Sequence, residues 1–120
     1  MRCLSTLTIL TAAMALAASV KDPARGRDAF DKRCTGCHAL DKIKIGPPLR
    51  GIYGRSAGKN PQFAYSEAVK AAPIVWDEAT LDRWLTDTDS VIPDNDMAFR
   101  LNDPADRASI IAYLRQVSGK

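Results

Sequence analysis

The sequence predicts a small all-α domain of four to five helices joined by long loops. Three observations lead there. Apolar residues recur at helical spacing, as in Ile110, Tyr113, Leu114 and Val117. Helix-opening residues precede the candidate helices, namely Asp22-Pro23, Ser66, Asp77 and Asp103-Pro104. No stretch of useful length alternates as a half-buried strand does, and no internal repeat is present.

Taken in order, Asp22 caps the first helix and Pro23 suits its first position, where a missing N–H costs nothing. This helix runs through Ala29 and Phe30 to Cys34, with Gly26 and Phe30 four apart on one face. Residues 39–60 read as loop, punctuated by Gly46-Pro47-Pro48, Gly51, Gly54 and Gly58. So long a loop in a small domain implies that it wraps something functional. A short helix follows Ser66 over residues 67–71, before Pro73. Asp77 caps another, which carries Leu81, Trp84 and Leu85. The polar stretch 86–99, with Pro93 at its centre, reads as loop with one helical turn at most. Asp103-Pro104 repeats the first opening, and the last helix ends at Gly119. So little regular structure makes a poor apolar core, and a large buried prosthetic group would supply the missing contact.

The first 18 residues are expected to stand apart from residues 19–120. Met1-Arg2 is a minimal positive start, residues 3–16 carry no charge, and Ala15-Leu16-Ala17 is a small-x-small cleavage site. This pattern is that of a secretory signal peptide, cut near Ala17 to Ser19. A retained anchor is the alternative, although the apolar run falls short of the ~20 residues a comfortable membrane span needs. Without the signal, the chain keeps one His, His38, two Cys, Cys34 and Cys37, and one Met, Met97. Residues 19–70 hold 11 basic and 5 acidic residues, a net of +6; residues 71–120 hold 5 and 9, a net of −4. No concentrated basic face emerges, so nucleic acid is not an expected partner.

Cys34-Thr35-Gly36-Cys37-His38 carries the chemistry. The Cys-x-x-Cys-His spacing is that of c-type haem attachment. On a helical turn two thiols three apart reach the two vinyl groups of one porphyrin, and His38 then offers its imidazole to the iron. Gly36 lets the ring lie close to the backbone. A thioredoxin-like redox pair wants a βαβ pattern, which is absent. A zinc site wants four ligands, and only three Cys and His remain after the signal. A plain disulfide between Cys34 and Cys37 is a further alternative.

The second axial ligand follows by elimination. No second His exists, and Met97 is the one thioether left, in the polar loop 92–99. A lone Met is commonly core filler, but the loop context and the haem motif favour a ligand. A soft thioether favours Fe(II), raises the reduction potential and, with His38, closes both axial positions.

With these residues the chain resembles class I cytochrome c, the monohaem mitochondrial and bacterial soluble type, over essentially all of residues 19–120. The resemblance implies a small cytochrome c fold, with loops wrapped around one covalently bound haem c per chain. It matches Gly26 and Phe30 to the family's first-helix pair, with Ile110 and Tyr113 packing on them. It implies that the Pro47 carbonyl accepts the His38 imidazole N–H. It implies that Arg55, Tyr65 and Trp76 bind a haem propionate, and it gives Trp76 and Met97 the family's separation of 21 positions. The chain departs from the mitochondrial proteins in a shorter segment between His38 and Pro47. Val69 stands in place of an Asn and Trp84 in place of a Tyr. Asp87, Asp89, Asp94 and Asp96 surround Met97 where lysines are usual, so Lys32, Lys42, Lys44 and Lys59 make half of a lysine ring.

The function this implies is one-electron transfer between redox partners outside the cytoplasm, in a bacterial periplasm and its respiratory chain, and not an enzyme. The expected partners are a quinol-cytochrome c reductase, a terminal oxidase or a periplasmic dehydrogenase. They would be met by a monomer with no stable membrane insertion of residues 19–120. The alternative is a haem protein with labile Met97 and peroxidase or small-ligand-binding activity.

Overall fold

The computed structural model describes residues 21–120, and the expected signal segment lies outside the described residues. Five helices form there: α1 (Pro23–Arg33), α2 (Glu67–Ala71), α3 (Glu78–Thr86), α4 (Thr88–Val91) and α5 (Pro104–Val117). The all-α expectation holds. Among the described residues the one extended pairing is an isolated antiparallel bridge between Ser56 and Val75.

The helix starts follow the side chains that precede them. Asp22 Oδ1 accepts from the Ala24 N–H at 2.9 Å, and Asp103 Oδ1 from the Ala105 N–H at 2.9 Å. Each satisfies a backbone donor that the first helical turn leaves without a partner. Asp77 and Thr80 form a reciprocal capping box at α3, with both bonds at 2.8 Å. Backbone and side-chain hydrogen bonds from Thr80 hold the Asp77 carboxyl below its ordinary range. At the far end of α5, Gly119 adopts φ +72° and donates to the Gln116 carbonyl at 3.1 Å. Helix α4 is the single turn that the polar stretch allowed. Asp87 serves both of its neighbours: its N–H donates to the Arg83 carbonyl at 3.2 Å, closing α3, and its Oδ1 accepts from the Asp89 N–H at 3.1 Å, opening α4.

The core sits where α1 crosses α5. Phe30 meets Tyr113 edge-on at 5.4 Å between centroids, and Ile110, Ile111 and Leu114 are buried beside them. The backbones approach closely at Gly26, where a Cβ would lie 1.8 Å from the Ser109 carbonyl oxygen. Helix α3 adds Leu81, Trp84 and Leu85, and Trp84 leans on Trp76 at 5.2 Å. Around the Ser56–Val75 bridge, residues 54–57 pair with 74–76: the Gly54 and Ala57 N–H groups donate to Trp76 and Ile74 carbonyls, and the Trp76 N–H donates to Arg55 O at 2.9 Å. Arg107, with its side chain 12% exposed, ties α5 to α3 and to the chain leading into α5. Its Nε donates to Asp82 Oδ1 at 2.8 Å, and its Nη1 to the carbonyls of Leu101 and Asn102 at 2.9 and 3.0 Å. Among the described residues no helix is long and apolar enough to cross a membrane.

Candidate haem site

The Cys-x-x-Cys-His turn grows directly out of α1. The Cys34 N–H still donates to Phe30 O at 2.8 Å, and the Cys37 and His38 N–H groups both donate to Cys34 O, at 3.1 and 2.9 Å. The chain thus makes one more turn before turning away, and the two thiols leave from that turn. Both thiols are free; Cys34 is half-buried and Cys37 exposed. Burial, reinforced by the neighbouring Cys37, pushes the Cys34 thiol up to about 12. A dithiol redox catalyst needs the opposite shift, because the thiolate is its nucleophile. Among the described residues no three His, Cys, Asp or Glu side chains are placed to hold a metal ion, so Cys34, Cys37 and His38 do not converge as a zinc site requires.

His38 is 8% exposed. Its Nδ1 lies 2.8 Å from the Pro47 carbonyl oxygen. That oxygen can only accept, so Nδ1 carries the proton and Nε2 keeps a free lone pair. Burial holds the imidazole below its ordinary pKa; the Pro47 bond opposes this and the Lys44 charge adds to it. The ring is therefore neutral at pH 7, as a metal-ligating imidazole must be. Gly46 packs closely against the same ring, and a Cβ there would lie 2.3 Å from His38 Cε1. The strap carrying Gly46 and Pro47 is held by Gly46 N–H to Cys37 O at 2.8 Å and Leu49 N–H to Ala39 O at 3.0 Å. Gly46→Ala is accordingly expected to force the ring or the strap aside and break the Pro47 bond. The expected cost is about 1–3 kcal/mol, read as a lower melting temperature and a lower yield of haem-loaded protein.

His38, Cys34, Cys37, Pro47, Tyr65, Trp76 and Met97 all line one cavity of about 370 Å³. Its remaining wall is mainly apolar, with Leu49, Ile52, Leu81, Leu85 and Phe99 prominent. Val69 and Trp84, two of the departures from the mitochondrial pattern, also line it. Arg55 does not reach the lining, yet its Nη1 is buried without a hydrogen-bond partner. Burial pushes the Tyr65 phenol up, opposed in part by a backbone bond from Asn60 and by the Arg55 charge. Trp76, which lines the cavity, donates its N–H to the Arg55 carbonyl at 2.9 Å, so the two lie side by side.

Two features escaped the sequence reading. Asn95 binds the backbone of Met97 and Ala98 through its side chain, at 2.9 and 3.1 Å. Thr88, fully buried, accepts from the Phe99 N–H at 2.9 Å. The signal for Asn95 was its place two residues before Met97, where an Asn side chain folds back on its own backbone. Thr88 gave no signal, since its partner is 11 positions away.

A helical chain that wraps an apolar cavity around a Cys-x-x-Cys-His turn defines a c-type haem protein. Comparison with known proteins agrees. The sequence profile of cytochrome c matches residues 23–118. Cytochrome c2 of Rhodomicrobium vannielii is 40% identical over 103 residues, covering 82% of this chain and 82% of that protein. Cytochrome c of Chlamydomonas reinhardtii is 42% identical over 101 residues, covering 81% and 90%. The solved structure of cytochrome cH from Methylobacterium extorquens superposes with a TM-score of 0.76 at 38% identity, covering 79% of this chain and 98% of that one. The chain belongs to the cytochrome c family.

Its cofactor is haem c, bonded through Cys34 and Cys37. The residues present fit that group. The cavity is apolar, two free thiols stand three residues apart at its edge, and Arg55, the backbone partner of the lining Trp76, carries a buried guanidinium nitrogen without a hydrogen-bond partner.

Proposed function

We propose that this protein is a diffusing one-electron carrier whose haem iron is held by His38 Nε2 and Met97 Sδ. One observation carries the reading: His38, its Nδ1 already committed to Pro47, and Met97 line the same cavity as the two thiols. When bound, the haem supplies the Fe(III)/Fe(II) couple. The protein's own groups do the rest. The Pro47 carbonyl fixes the His38 tautomer and makes its imidazole a stronger donor. The soft Met97 sulfur stabilises the reduced state. Tyr65, Trp76 and Arg55 bind a propionate, which gives the unpartnered Arg55 nitrogen its acceptor. The apolar wall excludes water, which favours the less charged ferrous state. Cys37 and Ile45, exposed at the cavity edge, mark where partners approach.

The carrier works outside the cytoplasm, in a bacterial periplasm and its respiratory chain, delivered there by the signal at residues 1–18. It acts as a monomer, without stable insertion of residues 19–120 in a membrane, in brief encounters. Its partners are a quinol-cytochrome c reductase, a terminal oxidase or a periplasmic dehydrogenase. Absorption spectra of oxidised and reduced protein, with a pyridine haemochrome assay and voltammetry, test this. The expected result is one covalent haem per chain, a sulfur–iron band in the oxidised form and a reversible one-electron wave. Rapid binding of carbon monoxide by the reduced protein would instead favour a labile Met97 with peroxidase or ligand-binding activity.

A further inference from the structure

We infer that Asn95 is a positioning residue for Met97: its side chain clamps the methionine loop shut and so sets how readily another ligand displaces the sulfur. This rests on the axial role proposed for Met97.

The clamp uses the full hydrogen-bonding capacity of one amide. Asn95 Oδ1 accepts from the Met97 N–H at 2.9 Å and the Ala98 N–H at 3.1 Å. Asn95 Nδ2 donates to Ile92 O at 2.8 Å and to Asp89 Oδ1 at 3.0 Å. The partners fix the orientation of the amide. Two backbone N–H groups must face its oxygen, and a carbonyl and a carboxylate must face its nitrogen. One side chain therefore joins the backbone at Met97 to the end of α4.

The loop needs such a clamp, because its backbone is strained on both sides of Met97. Asp94 has φ +63° and Ala98 has φ +47°, a left-handed conformation that side chains with a Cβ disfavour. Strain of this kind persists only where the surroundings over-determine it. Ala98 has no polar side chain to help itself, and its N–H is one of the two groups that Asn95 holds. The far end of the loop is pinned separately. The Thr88 N–H donates to Phe99 O at 3.1 Å, and the Phe99 N–H donates to Thr88 Oγ1 at 2.9 Å. With residues 88 and 99 fixed, the motion left to the loop is rotation of 94–98 about its two left-handed residues, and Asn95 blocks that motion.

Opening the loop must precede displacement of the sulfur, so the clamp appears directly in the affinity for a competing ligand. The probe is imidazole, titrated against the oxidised holoprotein while the sulfur–iron band is followed. Asn95→Ala removes all four bonds and is expected to tighten apparent imidazole binding at least roughly tenfold. Asn95→Ser keeps a hydroxyl able to accept from the Met97 N–H, and is expected to fall between, about threefold tighter than the parent. Both retain the band without imidazole. Denaturant unfolding followed by far-ultraviolet circular dichroism gives global stability in parallel.

A graded response in imidazole affinity, in the order Ala, Ser, parent, establishes the clamp. Imidazole affinity within twofold of the parent in both variants overturns it, whatever happens to global stability. Should Asn95→Ala yield no haem-loaded protein, the Ser variant alone decides by the same twofold limit. Met97→Ala separates the two readings. If that variant keeps the sulfur–iron band, the axial assignment fails. If it loses the band while both Asn95 variants bind imidazole as the parent does, the clamp alone fails.

Discussion

Met97→Ala is expected to abolish the sulfur–iron band of the oxidised protein and to lower its reduction potential. The size of the fall follows from what the thioether does. A neutral, polarisable sulfur prefers Fe(II), so a harder oxygen or nitrogen ligand in its place favours Fe(III). Axial ligands span ~0.8 V across haem proteins, and exchanging one of them is expected to cost roughly 0.1–0.3 V. The freed position is also expected to take up carbon monoxide in the reduced state, where the sulfur is expected to keep the parent closed. Met97→Leu separates chemistry from packing. Leucine keeps the apolar volume against the cavity wall, and such swaps usually cost less than about 1.5 kcal/mol. The Leu variant should therefore fold almost as well as the parent while showing the same loss of band and potential. Voltammetry of both variants checks this, and an unchanged potential in either one excludes sulfur ligation.

The second large effect is one of packing, at Gly26. An added Cβ would sit 1.8 Å from the Ser109 carbonyl oxygen, 2.5 Å from its carbon and 2.9 Å from Tyr113 Cβ. Two of those three neighbours are backbone of α5, which cannot step aside as a flexible side chain can. Gly26→Ala must therefore lever α1 away from α5, separating Phe30 from Tyr113 and opening the cover over Ile110. Overpacking of this kind costs about 1–3 kcal/mol, occasionally more, and the upper end is expected here. The alanine's better helix propensity returns only about 1 kcal/mol. The net cost is then about 2 kcal/mol, and at about 4–8 °C per kcal/mol for a domain of this size the melting temperature should fall by roughly 8–16 °C. Thermal unfolding of the oxidised holoprotein measures it, and a fall of less than about 4 °C would show that the helices can separate without penalty.

Much of the fold was legible because its signals are local. Asp22-Pro23, Ser66, Asp77 and Asp103-Pro104 each announce a helix through a side chain acting within three residues of itself. The Cys-x-x-Cys-His turn is legible for the same reason. The facing of Gly26 and Phe30 toward Ile110 and Tyr113 came from the family resemblance, since nothing local pairs two helices so far apart in the chain. What stayed hidden is non-local or shared. The pairing of 54–57 with 74–76 has no alternating pattern, because a single bridge needs none. Arg107 reads as a surface charge on its helix, and only the folded chain brings Asp82 and two carbonyls to it. Asp87 looked like one more aspartate in a polar loop, but it ends one helix and begins the next. Asn95 lay in plain view, and its four partners depend on two left-handed residues that no composition rule foretells.

The backbone pairing of Arg55 with Trp76 has an evolutionary corollary. Two positions 21 apart in the chain share a hydrogen bond of 2.9 Å and therefore move together. A change that shifts one drags the other's side chain with it, so substitutions there are epistatic and their effects do not add. A lineage or an engineer retuning that corner has to search the two positions as a pair.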